Sequence, residues 1–251
     1  MEAFVQTSIN DGIAKIIFFH PQSNSLPGEI LRKLAAEIST AGQNQAVKVI
    51  VIQSEGEKAF CAGASFDELI SIKDLATGIN FFSGFASVIN AIRKAPKFVI
   101  ARVQGKAVGG GVGIASAADY TLASTHASVK LSELAVGIGP FVVGPAVERK
   151  IGSAAFCQLA INASEWQSAD WAREKGLFAE VHESTQALDQ AVLRLANKLA
   201  ASNPEAMQLL KQVAWAGTEH WDELLIERAA MSGQLVLSDF TVNAINQFKA
   251  K

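Results

Sequence analysis

The chain has 251 residues, 22 of them basic and 24 acidic, for a formal net charge of −2, so no strong field recruits nucleic acid or an anionic membrane surface. With 49% hydrophobic and 18% charged residues, it holds enough apolar material for a sizeable core, as one large α/β domain or two small ones. The two cysteines, Cys61 and Cys157, lack paired spacing, which excludes a disulfide framework and a zinc site as readings and fits a reducing compartment.

The segment Met1-Glu2-Ala3-Phe4-Val5-Gln6 lacks a basic n-region and an apolar h-region, and no apolar run approaches the roughly 20 residues of a bilayer span. A cytoplasmic protein is the expectation. Residues 3–19 alternate around Asn10-Asp11-Gly12, the residue chemistry of a tight hairpin between two strands. From Pro27 to Gly42, apolar residues recur at helical spacing, and the proline suits a first turn. Val47–Ile52 is a near-continuous β-branched run, expected of a strand covered on both faces, and Phe98–Val103 repeats it. A helical stretch over Leu75–Lys94 lies between them, so a parallel sheet with helical crossovers follows. Short strands are expected at Tyr120–Ala123, Ala127–Lys130 and Leu177–Val181. Helices dominate from Pro145, with starts at Asn203-Pro204-Glu205 and further helices over Trp221–Leu237 and Asp239–Phe248. No internal repeat and no linker of the kind that separates independent domains is found.

Chemistry concentrates in two glycine-bearing turns, Ala62-Gly63-Ala64 and Gly109-Gly110-Gly111, followed by an acid in Leu131-Ser132-Glu133-Leu134. Side chains are missing where something must approach the backbone. A helix starting at the triplet would present free N–H groups and partial positive charge, which favours a developing anion over a neutral carbonyl. Two such turns make an oxyanion hole, and one carboxylate can move protons beside it. The plainer reading is that the glycines let a helix pack tightly on a sheet; Glu133 alone also reads as a capping or surface acid.

Other motifs fail on detail. Gly105-Lys106 is followed by Ala107 at the wrong end of the glycine run for a phosphate loop, and Ser116 stands where a dinucleotide fingerprint needs its third glycine. Gly63-Ala64-Ser65-Phe66-Asp67 lacks the glycine that closes a nucleophile elbow. Cys61 reads as a small core residue. His20, His126, His182 and His220 are scattered without metal-ligand spacing.

Taken together, Asn24-Ser25-Leu26, Ala59-Phe60-Cys61-Ala62-Gly63-Ala64, Gly109-Gly110-Gly111 with Ala118-Asp119, and Asn203-Pro204-Glu205-Ala206 resemble the crotonase superfamily, the enoyl-CoA hydratase/isomerase family. The resemblance implies an α/β fold, a crotonase-like ββα spiral over residues 1–195. A C-terminal helical region over 196–251 would serve for oligomerisation and site closure, as a homotrimer or a hexamer of paired trimers. It implies that the N–H groups of Ala64 and Gly110 hold the thioester oxygen of an acyl-CoA, with Glu133 as acid/base. Ala62, Ala64, Ser65, Phe66, Asp67 and Gly110 would lie along the CoA, with Phe248 and Lys251 reaching a neighbouring subunit's CoA. No cofactor or metal is implied, since CoA arrives with the substrate.

One departure stands out. The family's hydratases carry a glutamate two residues after the triplet, and here that position is Gly113. Hydration uses two carboxylates to position and deprotonate water, whereas moving a double bond needs a single base. The expectation is therefore an isomerase with Glu133 as sole acid/base, its pKa raised by apolar neighbours such as Leu134 and Phe141. The alternatives are a hydratase using Glu133 only, and a non-catalytic CoA-binding oligomeric scaffold.

Overall fold

The computed structural model describes residues 1–249, with side chains described through residue 247. Strands β1 (Phe4–Asn10) and β2 (Ile13–Phe19) form the expected hairpin, with Asp11 and Gly12 both at positive φ in its turn. Strand β3 (Ser25–Leu26) leads into helix α1 (Gly28–Gln43), with Pro27 at its N-cap. There follow β4 (Val49–Ser54), β5 (Ala59–Cys61), β6 (Gly63–Ala64), the short helix α2 (Phe66–Leu69) and the long helix α3 (Leu75–Lys94). Next come β7 (Phe98–Val103), β8 (Lys106–Val108), α4 (Gly110–Ala117), β9 (Tyr120–Ser124), β10 (Ser128–Lys130) and a 3₁₀ turn over Glu133–Val136. The remainder is α5 (Gly144–Ile161), β11 (Gln167–Ser168), α6 (Ala169–Glu174), β12 (Glu180–His182), α7 (Thr185–Ala200), α8 (Pro204–Ala214), α9 (Trp221–Leu235) and α10 (Asp239–Lys249).

Six strands form one sheet in the order β1-β2-β4-β7-β9-β12, parallel apart from the β1–β2 hairpin. The apolar run of β4 is explained by cover on both faces. Ile50 and Ile52 pack into the main core with α1 and α3, while Val49 and Val51 meet Leu188, Ala191 and Val192 of α7. Helix α7 therefore continues the spiral's packing across residue 195 rather than ending there. A second sheet, ordered β11-β10-β8-β5, and the pair β3–β6 bring the two glycine-bearing turns side by side.

Two expectations are corrected. The strand expected at Leu177–Val181 starts at Glu180 instead, because Leu177 and Phe178 turn inward as buried core residues. Helix α3 also meets the length and hydropathy of a membrane span, with mean hydropathy 1.4, although no such run was expected. It lies against α1 and α9, crossing α9 so closely that a Cβ on Gly78 would come within 2.9 Å of Gly233 Cα.

A buried polar cluster ties α8 to the sheet. Lys211 Nζ donates to Asp119 Oδ2, Ile92 O and Lys97 O, each at 2.8 Å, and Trp215 Nε1 donates to Asp119 Oδ1 at 2.7 Å. Asp119 also accepts from the Val99 N–H at 2.7 Å, which fixes the start of β7. Burial pushes the Lys211 ammonium below its ordinary pKa, and the Asp119 charge opposes that shift. Removing one member strands the other charge in the interior. Asp119→Ala is accordingly expected to cost about 3–5 kcal/mol, measured by denaturant unfolding; a loss below about 1 kcal/mol would match an exposed pair instead.

Candidate active site

Strand β8 runs directly into α4, and the junction is Gly109, at φ 50° and ψ −112°. Its N–H donates to Lys130 O at 2.9 Å, anchoring the turn to β10. No side chain caps α4, so its first-turn N–H groups, beginning with Gly110, are free of intrahelical partners. Position 110 has no room for a side chain: a Cβ there would lie 2.2 Å from the Phe85 ring.

The first turn is built differently. Strand β6 pairs with β3 at Leu26↔Ala64, and because residue 27 is proline the ladder closes through the Ser65 N–H onto Leu26 O at 3.0 Å. The Ala64 N–H is left outside that ladder. Ala64 and Gly110 both line one cavity of about 480 Å³.

Glu133 enters the same cavity from the 3₁₀ turn after β10. Gly137 ends that turn in the left-handed region, and its carbonyl accepts from Thr241 Oγ1 of α10 at 3.2 Å, so the C-terminal helix clamps the acid's loop. The residue as a whole is half-buried, but Oε2 is shut off from solvent and has no hydrogen-bond partner among the described residues. Glu133 Oε1 lies 2.7 Å from where a Cβ on Gly109 would stand, so the carboxylate rests against the bare backbone of the triplet. Burial raises its pKa from 4.5 to about 7, partly offset by its own backbone N–H. Leu134 does not contribute this cover, being 50% exposed on the outer side of the turn; Phe141 does line the cavity.

The raised pKa has a definite sign in catalysis. A base must be deprotonated to act, so kcat/KM is expected to fall as pH drops through about 7, where Glu133 takes up its proton. A pH–rate profile checks this; an acid limb near 4.5 would place Glu133 in an ordinary solvated setting.

Other sequence-derived positions divide. Ala62 and Phe66 line the cavity. Ser65 is buried and its hydroxyl caps α2, accepting from the Glu68 N–H at 3.3 Å. Asp67 is exposed and accepts from Gln22 Nε2 at 3.0 Å. The Phe248 side chain and Lys251 lie outside the described residues. Cys61 is fully buried with its thiol pushed up to about 12, so it stays protonated as a core residue.

Gly113, where the second acid of a hydratase would stand, is buried, and a Cβ there would come within 2.5 Å of Val143 Cγ1. Val143 itself lines the cavity, so an apolar side chain occupies the space. The sequence reading did not single out Phe81, Phe82 and Phe85 of α3 individually, nor Lys130 and Trp166, all of which line the cavity. The phenylalanine spacing is that of any core-facing helix, and nothing in sequence joins Lys130 to Trp166 across the intervening α5.

Two turns of bare backbone and a buried carboxylate line one largely apolar cavity, an arrangement of the kind that can stabilise an enolate and move a proton beside it. The family model described as enoyl-CoA hydratase/isomerase matches residues 8–242, and the chain belongs to that family. It is thus an enzyme of the crotonase superfamily acting on CoA thioesters. YngF of Bacillus subtilis, which carries the same family name, is 30% identical over 222 residues, covering 87% of this chain and 84% of its own. The mitochondrial methylglutaconyl-CoA hydratase of Rattus norvegicus is 32% identical over 200 residues, which span 78% of this chain and 63% of that protein. Among solved structures, an enoyl-CoA hydratase from Bacillus halodurans superposes with TM-score 0.89 at 20% identity, covering 97% of this chain and 99% of that one.

Proposed function

We propose that this enzyme isomerises the double bond of a 3-enoyl-CoA to the conjugated 2-enoyl-CoA, with Glu133 as the only acid/base. The observation that carries this reading is the filled space at Gly113, where Val143 stands in place of a second carboxylate. Glu133 removes a proton from C2, the electron pair delocalises onto the thioester oxygen held by the Ala64 and Gly110 N–H groups, and the same proton returns at C4. The double bond then lies between C2 and C3, and atoms and charge balance without added water. Two preorganised donors contribute roughly 3 kcal/mol or more each to the enolate, and a base with pKa about 7 is matched to giving back the proton it takes.

The chemistry calls for no metal or further cofactor, because the hole carries the developing charge. Trimer formation, single or paired, through the C-terminal helices belongs to the same reading. It is supported by apolar side chains left at the surface there, among them Val213 at 74% and Phe240 at 70% exposure. A cytoplasmic setting is supported by the two free cysteines. The experiment is to supply a 3-enoyl-CoA and a 2-enoyl-CoA separately: conjugated thioester absorbance should appear with the first, and the second should gain no water. A 3-hydroxyacyl product from the second would instead support the hydratase that uses Glu133 alone.

A further inference from the structure

The cavity wall that ends at Glu133 also holds a cation with no assigned use. Lys130 closes β10, three residues before the acid, and lines the cavity with Trp166. Its ammonium sits 4.6 Å from the centre of the Trp166 ring, and Lys106 Nζ sits 5.0 Å from the same ring. Among the described residues neither lysine has a carboxylate within ion-pair reach, and neither ammonium donates a hydrogen bond. Stacking on indole holds an ammonium in place but leaves its charge and its N–H donors unmatched. Two like charges on one ring, Lys130 at the wall of a largely apolar cavity and Lys106 exposed beside it, form a site for an anion.

The position of Lys130 decides which anion. Its carbonyl accepts the Gly109 N–H at 2.9 Å, so its backbone is one residue removed from the Gly110 donor. A thioester oxygen held at Gly110 puts the acyl group within reach of the lysine, whereas the first phosphate of CoA lies the whole length of the pantetheine arm away. We infer that Lys130, steadied by Trp166 and seconded by Lys106, binds a carboxylate carried on the acyl group, so that the preferred substrates are CoA monothioesters of dicarboxylic acids. This rests on the acyl-CoA reading of the cavity and not on the direction of the chemistry.

The test uses saturated thioesters, so that it does not depend on turnover. Binding of hexanedioyl-CoA and of hexanoyl-CoA is measured by titration calorimetry for wild type, Lys130→Met and Lys130→Arg. In wild type the dicarboxylic ester should bind more tightly. Lys130→Met should lower the ratio of the two affinities about 10- to 100-fold, the scale of a hydrogen bond to a charged group, and Lys130→Arg should keep most of it. An equal loss for both esters would put Lys130 on the CoA moiety, and an unchanged ratio would leave it a surface cation; either result overturns the assignment. Failure of both esters to bind wild type would overturn the acyl-CoA reading itself, while tight binding without isomerisation would overturn only the proposed reaction.

Discussion

Glu133→Gln should lower kcat by about 10²- to 10⁴-fold while leaving acyl-CoA affinity close to wild type. Glutamine keeps the shape of a side chain whose Oε2 is buried, so the change removes the proton acceptor and little else. In the proposed reaction the substrate is held by backbone N–H groups and an apolar cavity, neither of which depends on the carboxylate. Steady-state kinetics with a 3-enoyl-CoA, paired with a direct binding measurement on a saturated acyl-CoA, separates the two quantities. Unchanged activity in the variant would return the protein to the scaffold reading, in which the acid is incidental; lost binding with lost rate would make Glu133 a structural prop for the cavity.

The second large effect is expected at Gly110. In Gly110→Ala the new methyl would stand 2.2 Å from the Phe85 ring, a separation real side chains do not adopt. Either the ring swings into the cavity and obstructs the acyl group, or the first turn of α4 retreats and carries the proposed donor N–H away from the oxyanion. Loss of one oxyanion donor costs about 10²- to 10³-fold in kcat, and that is the expected loss here. The double variant Phe85→Leu, Gly110→Ala removes the ring's hard edge and should recover part of the rate. If the double variant is no better than the single, the clash with Phe85 is not the cause. Circular dichroism on both variants guards against simple unfolding.

The long periodic elements could be read from sequence because each repeats its apolar pattern over enough residues for the signal to be local. Leu75–Lys94 repeats its apolar face for its whole length and ends in Arg93-Lys94, and the structure places α3 over those residues. The hairpin at Asp11-Gly12 is fixed by turn chemistry alone. The short strands β5, β6 and β8 had no such signal, since two or three residues carry no period and their pairing is made by distant segments. The start of α3 at Leu75 is fixed by Asp74, which caps it by accepting the Thr77 N–H at 2.8 Å.

At the site, the glycine turns and Glu133 were legible because bare backbone and an isolated acid among small residues are unusual. What sequence left open was the reason for each glycine. Gly110 is required by a phenylalanine 25 positions away, and Gly113 is matched by Val143 on another helix start. Thr241 was invisible for the same cause, since its bond to Gly137 O joins segments that share no local pattern. Leu134 shows the opposite error: neighbours in sequence were taken as neighbours in space, and a 3₁₀ turn sends the adjacent side chain outward.

A one-base site is tested most directly by a reaction in deuterated water. A 3-enoyl-CoA is incubated with wild-type enzyme and the product resolved by mass, with deuterium located at C2 or C4. Proton removal and return by one shielded carboxylate predicts a 2-enoyl-CoA of unchanged oxygen content, with label incorporated at C4 more slowly than product forms. A product one water heavier, or one fully deuterated at C4 from the first turnover, would contradict a single enclosed base and require either hydration or a second proton donor.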